Sequence, residues 1–159
     1  MNYALDALWW RLTDPDVRAL ASLLTAPPLW HSGCELPVRE LLGEHGFRFL
    51  LELDEHPQAL LAALAEQAPF HQRLGYYAES LLAFWFGHAP HSKLLARNIR
   101  WQGGKGEQGE LDFAVVLNGR PYHIELTCKY YGAAEAEPAK MAGLNPHDKL
   151  ADKAAKLQQ

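Results

Sequence analysis

The chain has 159 residues, of which 48% are hydrophobic and 21% are charged, and its formal net charge is -4. This length is enough for one domain with a hydrophobic core, and the many apolar residues exclude a disordered chain. The two cysteines, Cys34 and Cys128, are too few for a disulfide framework and lack zinc-site spacing. We therefore expect a reducing, cytoplasmic location, with no signal peptide and no membrane-spanning segment.

The charge is distributed unevenly along the sequence. Residues 1–90 contain 5 Lys or Arg and 11 Asp or Glu, whereas residues 91–159 contain 10 and 8. If the protein binds DNA or RNA, the net basic C-terminal half is where we expect the contact, because local fields matter more than the total charge. The alternative is chance variation in surface charge.

The N-terminal part, residues 1–70, is predicted to be mostly helical. Asp14 and Pro15 form a helix start, with Asp14 as N-cap and Pro15 in the first turn. An apolar stripe at helical spacing follows, at Val17, Leu20, Ala21 and Leu24. The Pro27-Pro28 pair should end this helix.

The remainder of this part carries weaker patterns. Residues 29–46 contain several Gly and Pro and are predicted to form a loop. Residues 47–53 fit either a short strand or a buried turn of helix. Pro57 should open a further short helix that ends before Pro69.

Residues 74–86 form the most apolar segment and are predicted to be a long buried helix. Gly87 and Pro90 should stop it. Glu79 is the one acidic residue within this segment, and a buried carboxylate usually needs a partner or a metal. An exposed position at the edge of the helix is the alternative.

A strand followed by a hairpin is predicted after this helix. Residues 95–102 alternate as a strand, with Ile99 and Trp101 on one face. Asn118-Gly119 between two apolar runs predicts a type I′ turn, because both central residues need positive φ. We expect the two hairpin strands to cover residues 111–117 and 120–129.

The two-residue turn fixes which residues face each other. It pairs Leu117 with Arg120, and it therefore places Asp112 directly opposite Glu125 and Glu110 opposite Thr127. Like charges directly opposite each other destabilise a sheet, whereas a bound Mg²⁺ or Mn²⁺ would stabilise them through hard oxygen ligands. The alternative is a solvated polar face whose charge is offset by Lys129, which alternation places on the same side.

The order of these motifs resembles the PD-(D/E)XK phosphodiesterase superfamily, which has the restriction-endonuclease-like fold. The segments 74–79, 109–113 and 125–131, and the pattern Gly143, Asn145, Asp148, Leu150 and Lys153, are more closely similar to a bacterial family called domain of unknown function 1853. The resemblance covers nearly the whole chain. It implies an α/β (α+β) fold with a helix, a mixed sheet containing the hairpin, and a further helix.

The resemblance also implies a site and an activity. It implies Asp112 and Glu125 as metal ligands, Glu79 as an accessory acid that also binds the metal, and a catalytic lysine. The usual lysine position is Thr127 in this chain, so Lys129 is the candidate. The implied function is a metal-dependent nuclease acting on DNA or RNA, with Mg²⁺ or Mn²⁺ and no small-molecule cofactor.

Two further expectations complete the prediction. A catalytically inactive module on the same fold, binding nucleic acid or another protein, is the alternative function. The nuclease-like core is expected within residues 71–159. It is expected to be incomplete at its C-terminal end, because the chain stops before the strand that should follow the last helix.

Overall fold

In the computed structural model, the described residues are 10–27, 33–67, 74–103, 108–127, 137, 140–141, 147, 149 and 151–152. The chain divides into two compact units. The first combines Met1–Ala26 with Pro37–Leu126, and the second combines Pro27–Leu36 with Thr127–Gln159. The helices and strands named below all belong to the first unit. The further helix, which the sequence predicts over residues 146–159, lies mostly outside the described residues.

Five helices and then three strands lie wholly within the described part of the first unit. The helices are α1 (Pro15–Thr25), α2 (Val38–Leu42), α3 (Gly46–Glu55), α4 (Gln58–Gln67) and α5 (Leu74–His88). The strands are β1 (Ser92–Gln102), β2 (Gln108–Leu117) and β3 (Arg120–Ile124). This is an α+β fold, as the sequence predicts.

Helix α1 confirms the predicted start signal. The Asp14 carboxylate accepts hydrogen bonds from the backbone N–H groups of Asp16 and Val17, at 2.9 and 3.0 Å. These N–H groups have no partner within the helix itself, so the cap satisfies them. The predicted apolar stripe of α1 is buried in full.

The described strands form one antiparallel sheet in the order β1-β2-β3. The mixed sheet that the resemblance implied is not seen among the described residues. The β2–β3 register runs from Leu117↔Arg120 to Phe113↔Ile124, as predicted. The turn residues Asn118 and Gly119 have φ of 49° and 78°, which confirms the two positive φ values of a type I′ turn.

Helix α5 is the centre of the core. It packs against α1, α4 and the sheet, and its Trp85 and Phe86 are fully buried. Phe86 meets Phe113 of β2 edge to face, with the ring centroids 5.4 Å apart. A helix that is apolar on nearly every side is buried between other layers, and this position agrees with the sequence pattern.

One carbonyl ties the helical layer to the start of the sheet. The Leu41 carbonyl oxygen accepts hydrogen bonds from Trp85 Nε1 at 2.9 Å and from His91 Nε2 at 2.8 Å. Gly43 makes room for the histidine, because a Cβ at Gly43 would lie 2.7 Å from His91 Cδ2. Gly43 also has φ 59° and ψ -165°, a combination that is essentially restricted to glycine.

Two predicted elements are corrected by the structure, and one choice that the sequence left open is resolved. Residues 29–46 are not all loop, because α2 forms within them between Pro37 and Gly43. Helix α5 does not stop at Gly87 but continues to His88, and Ser92 Oγ then binds the last carbonyls, including that of Phe86 at 3.1 Å. Residues 47–53, for which strand and helix were both open, lie within α3.

The strand boundaries also differ from the prediction. Strand β1 begins three residues earlier than expected, at Ser92. Strand β3 ends at Ile124 rather than at residue 129. Glu110 and Thr127 are therefore not partners in the sheet.

Replacing Gly43 by Ala should destabilise the fold by about 2 kcal/mol or more, because the new Cβ would both strain the backbone and clash with the His91 ring. Urea unfolding followed by circular dichroism measures this change. Gly87→Ala is the matched control, because nothing lies within 4 Å of a Cβ there and the residue is helical. The control should be neutral or stabilising by up to about 0.5 kcal/mol. A Gly43→Ala variant as stable as the control would contradict this account of the glycine.

Candidate functional site

The predicted pair of carboxylates lies where the β2–β3 ladder ends. The ladder ends at Phe113↔Ile124, so the predicted direct pairing of Asp112 with Glu125 is not part of the sheet, and the two residues lie just beyond its last pair. Alternation along β2 places Asp112 on the sheet face opposite to Phe113, which faces α5. The hairpin register that the Asn-Gly turn sets therefore brings the two acids together.

Hydrogen bonds between side chains and backbone hold the pair. Asp112 Oδ2 accepts a hydrogen bond from the backbone N–H of Leu126 at 2.7 Å. Glu125 Oε1 accepts a longer one, 3.4 Å, from the backbone N–H of Asp112. Each acid thus fixes the backbone of the opposite segment. These contacts explain why β3 ends at Ile124, since the Leu126 N–H group is used by a carboxylate.

His123 adds a third side chain to this cluster. Its Nε2 lies 2.6 Å from Glu125 Oε1, and its side chain is about half exposed. A protonated imidazole in this position forms an ion pair with the glutamate, whereas a neutral one donates a hydrogen bond. Both of the contacts that Glu125 makes with described side chains or backbone use the same oxygen, Oε1.

Strand β1 is irregular directly across from Asp112. Asn98 has φ 52° in the middle of the strand, and the register passes from Arg97↔Phe113 to Ile99↔Leu111 without pairing it. Asparagine adopts positive φ more readily than most residues. The register is the same on both sides of Asn98, so no extra residue is inserted there, and the register shift of this strand lies between Leu94 and Ala96.

Glu79 lies beside this irregular stretch of β1. It is half-buried on α5 and lines a cavity of about 250 Å³, whose walls include Gln67, Tyr76, Ser80, Arg97, Asn98 and Phe113. Burial raises the pKa of the Glu79 carboxyl above its ordinary value, and the negative charges of Asp112 and Glu110 raise it further. Arg97 acts in the opposite direction. Glu79 is therefore electrostatically coupled to the acidic cluster.

The described residues do not bring three acids into one metal-binding group. Among them, no set of three or more His, Cys, Asp or Glu side chains is arranged to hold a metal ion. The pair Asp112 and Glu125 remains the candidate, and a role of Glu79 as a third ligand stays a prediction. Lys129 lies outside the described residues. Thr127, at the usual lysine position of the resembled superfamily, follows the end of β3, and its hydroxyl is buried without a hydrogen-bond partner.

Arg97 and Tyr76 are the site residues that the sequence did not reveal. Both line the Glu79 cavity, but they come from β1 and the first turn of α5, on elements that meet only in the folded chain. The only indication in the sequence is that Arg97 lies in the net basic C-terminal half, residues 91–159.

Comparison with known proteins gives one match. The sequence family described as domain of unknown function (DUF1853) matches residues 18–159. The chain belongs to this family. No curated protein and no solved structure matches the chain. The DUF1853 match includes the whole region from α5 to the carboxylate pair.

Within the ranges that the structure describes, none of the helices of this DUF1853 chain has the length and apolar character needed to cross a bilayer.

Replacing Glu79 by Gln should stabilise the protein at neutral pH but not in acid. Because folding raises the pKa of Glu79, the folded state binds its proton more tightly than the unfolded chain does. The resulting stabilisation is full below about pH 4.5, the ordinary value, and is lost as the pH rises through the folded-state pKa. Glu79→Gln removes this dependence, so its melting temperature should exceed that of the wild type at pH 7.5 and match it at pH 4.

Glu66→Gln is the control for this experiment, because Glu66 is exposed on α4. The melting temperature of the control should equal that of the wild type at both pH values. A Glu79→Gln variant with the wild-type melting temperature at both pH values would contradict the electrostatic coupling of Glu79 to the acidic cluster.

Proposed function

We propose that this protein is a metal-dependent phosphodiesterase acting on DNA or RNA, with a restriction-endonuclease-like core. The observation that carries the proposal is the pair Asp112 and Glu125, which lie just beyond the last β2–β3 pair, with each carboxylate bound to the backbone of the opposite segment. Neighbouring carboxylates repel each other, and a bound divalent cation would remove such repulsion.

The donor set fits Mg²⁺ or Mn²⁺. Both metals prefer hard oxygen ligands, and Mg²⁺ usually keeps several waters and is held by one or two protein carboxylates together with substrate phosphates. Two acids are therefore enough, and the absence of a third acid from the described group does not weigh against the proposal. When bound, such an ion lowers the pKa of a coordinated water and stabilises negative charge on phosphate.

The residues of this chain would supply the remaining functions. Asp112 and Glu125 would hold the ion, while the Leu126 N–H and His123 fix the orientation of these carboxylates. Glu79, with its raised pKa, would be a proton donor or acceptor at the edge of the site. Lys129 remains the proposed cation for the phosphate or the attacking water.

The alternative is a catalytically inactive module that binds nucleic acid or another protein. One observation favours it: both acids already accept hydrogen bonds from the backbone, and Glu125 is paired with His123. In this interpretation the carboxylates close the end of the hairpin and bind no metal.

A cleavage assay distinguishes the two functions. Supercoiled plasmid, single-stranded DNA and RNA are incubated with the full chain in Mg²⁺, in Mn²⁺ or in EDTA. We expect cleavage that requires the metal. Asp112→Ala and Glu125→Ala should each lower the rate by at least about 100-fold, since even residues that only orient a ligand change activity by 10–100-fold.

Glu66→Ala removes the same charge at an exposed position on α4 and should retain the wild-type rate. Cleavage that survives both Asp112→Ala and Glu125→Ala, or cleavage in EDTA, would overturn the assignment of the site. Nucleic-acid binding without cleavage of any substrate would favour the inactive module.

Thermal stability tests the metal site without any substrate. Mg²⁺ at about 100 times its Kd should raise the melting temperature by about 5–10 °C, because a ligand of the folded state stabilises it by mass action. In EDTA, Asp112→Asn should melt at or above the wild-type temperature. The variant loses the repulsion, and its amide oxygen can still accept from Leu126.

The same variant should lose the response to Mg²⁺. Glu66→Gln provides the control and should keep it. If Mg²⁺ raised the melting temperatures of Asp112→Asn and of the wild type equally, the ion would bind elsewhere.

A further inference from the structure

Trp101 is a large aromatic side chain that the proposed site does not use. It lies near the end of β1, and 45% of its surface is exposed. β1 is at one edge of the described sheet. The exposed part of this indole is available for contact with a ligand.

The backbone opposite Trp101 is shaped to hold the indole ring. Trp101 is paired with Gly109 of β2, and a Cβ at Gly109 would lie 2.6 Å from Cε2 and 2.8 Å from Cζ2 of the indole. Any residue other than glycine would therefore displace the ring. The indole rests directly on the strand, so it is held in place before a ligand binds, which lowers the entropic cost of binding.

Two exposed arginines, Arg97 and Arg100, precede Trp101 on β1, and this strand contains no acidic residue. Arg100 makes a loose ion pair with Glu110, with 3.8 Å between Nε and Oε2. Exposed pairs of this kind contribute little, so Arg100 remains able to contact an anion.

A cavity of about 560 Å³ adjoins the indole and is lined by Arg100, Trp101, Gln102, Gly109 and Glu110. This volume falls within the range of ligand sites. The lining offers an aromatic surface, a cation, an amide and a carboxylate acceptor. An aromatic base that carries a phosphate matches this lining, because its ring can stack on the indole and its phosphate can contact the cation.

We propose that Trp101 stacks against an unpaired base of a nucleic acid, with Arg100 and Arg97 contacting the phosphates. The proposal rests on the proposed function for the class of ligand, and it narrows that class to single strands or frayed ends. Bases in a duplex have both faces covered by their neighbours, whereas every unpaired base offers a face for stacking.

The experiment measures binding in EDTA, where metal-dependent cleavage does not take place. A fluorescein-labelled 12-nucleotide oligo(dT) and a 12-base-pair duplex are titrated with the full chain, and anisotropy is recorded. We expect the single strand to bind more tightly than the duplex. Trp101→Ala should weaken single-strand binding by about 5- to 100-fold, the loss typical of one stacked base, and Trp101→Phe should recover most of it.

Leu95→Ala is the matched control. Leu95 is an exposed apolar residue on the same strand, 54% accessible, and its loss should leave binding unchanged. Gly109→Ala should weaken binding as Trp101→Ala does, although the indole is still present. Arg97→Ala and Arg100→Ala should each reduce the slope of log K against log salt by about 0.7, as expected for one phosphate contact on a single strand.

Equal binding by Trp101→Ala and the wild type would overturn the proposal, as would an equal loss in Leu95→Ala. A folded wild-type protein that binds no single strand would also overturn it. Because no metal is present, these outcomes are independent of whether the protein cleaves nucleic acid. Cleavage of duplex without single-strand binding would refute the stacking role and leave the proposed function standing.

Discussion

The Leu41 carbonyl and its two ring N–H donors join the helical layer to the start of the sheet. Leu41 belongs to the last turn of α2, where helix carbonyls lack partners within the helix. Trp85 reaches it from the middle of α5, and His91 reaches it from the turn that leads into β1. Since Leu41 can only accept, the hydrogen of His91 lies on Nε2, and Nδ1 is left buried without a partner. The start of the sheet is thereby fixed relative to the helices.

The candidate site depends on this arrangement through the hairpin. The His91 carbonyl accepts a hydrogen bond from the Asn118 N–H at 2.8 Å, so the same turn that contacts α2 also holds the tip of the β2–β3 hairpin. The register of the hairpin then places Asp112 and Glu125 at its far end. α5 contributes Glu79 to the edge of the same region, while its Trp85 donates to the Leu41 carbonyl. The contacts to Leu41 and the candidate site thus lie at opposite ends of α5 and of the β2–β3 hairpin.

Local chemistry decided which parts of this fold could be predicted from the sequence. Asn118-Gly119 specifies its turn through backbone conformation alone, so the register of the hairpin followed from these two residues. Asp14 and Pro15 fixed the start of α1 in the same local way. The membership of the family was also predictable, because its motifs lie at short spacing along the chain.

The remaining features depend on contacts between distant segments. α2 was missed because Pro37 and Gly43, which flank it, are residues typical of loops. Its Leu41 carbonyl is satisfied by residues about 40 to 50 positions away. The end of β3 depends on carboxylates that replace backbone partners. The meeting of Glu79 with Arg97, and the exposure of Trp101 over Gly109, both require the packed sheet and helix.

The turn at Asn118 also bears on the chemical ageing of the protein. Asparagine followed by glycine is prone to lose ammonia and become aspartate, and aspartate also suits a type I′ turn. Here the Asn118 amide donates to Glu40, with Nδ2 lying 3.3 Å from Oε2 and 3.4 Å from the carbonyl oxygen. An aspartate at this position would face the Glu40 carboxylate with no hydrogen to donate. The same dipeptide that sets the register therefore couples deamidation to the junction between the hairpin and α2.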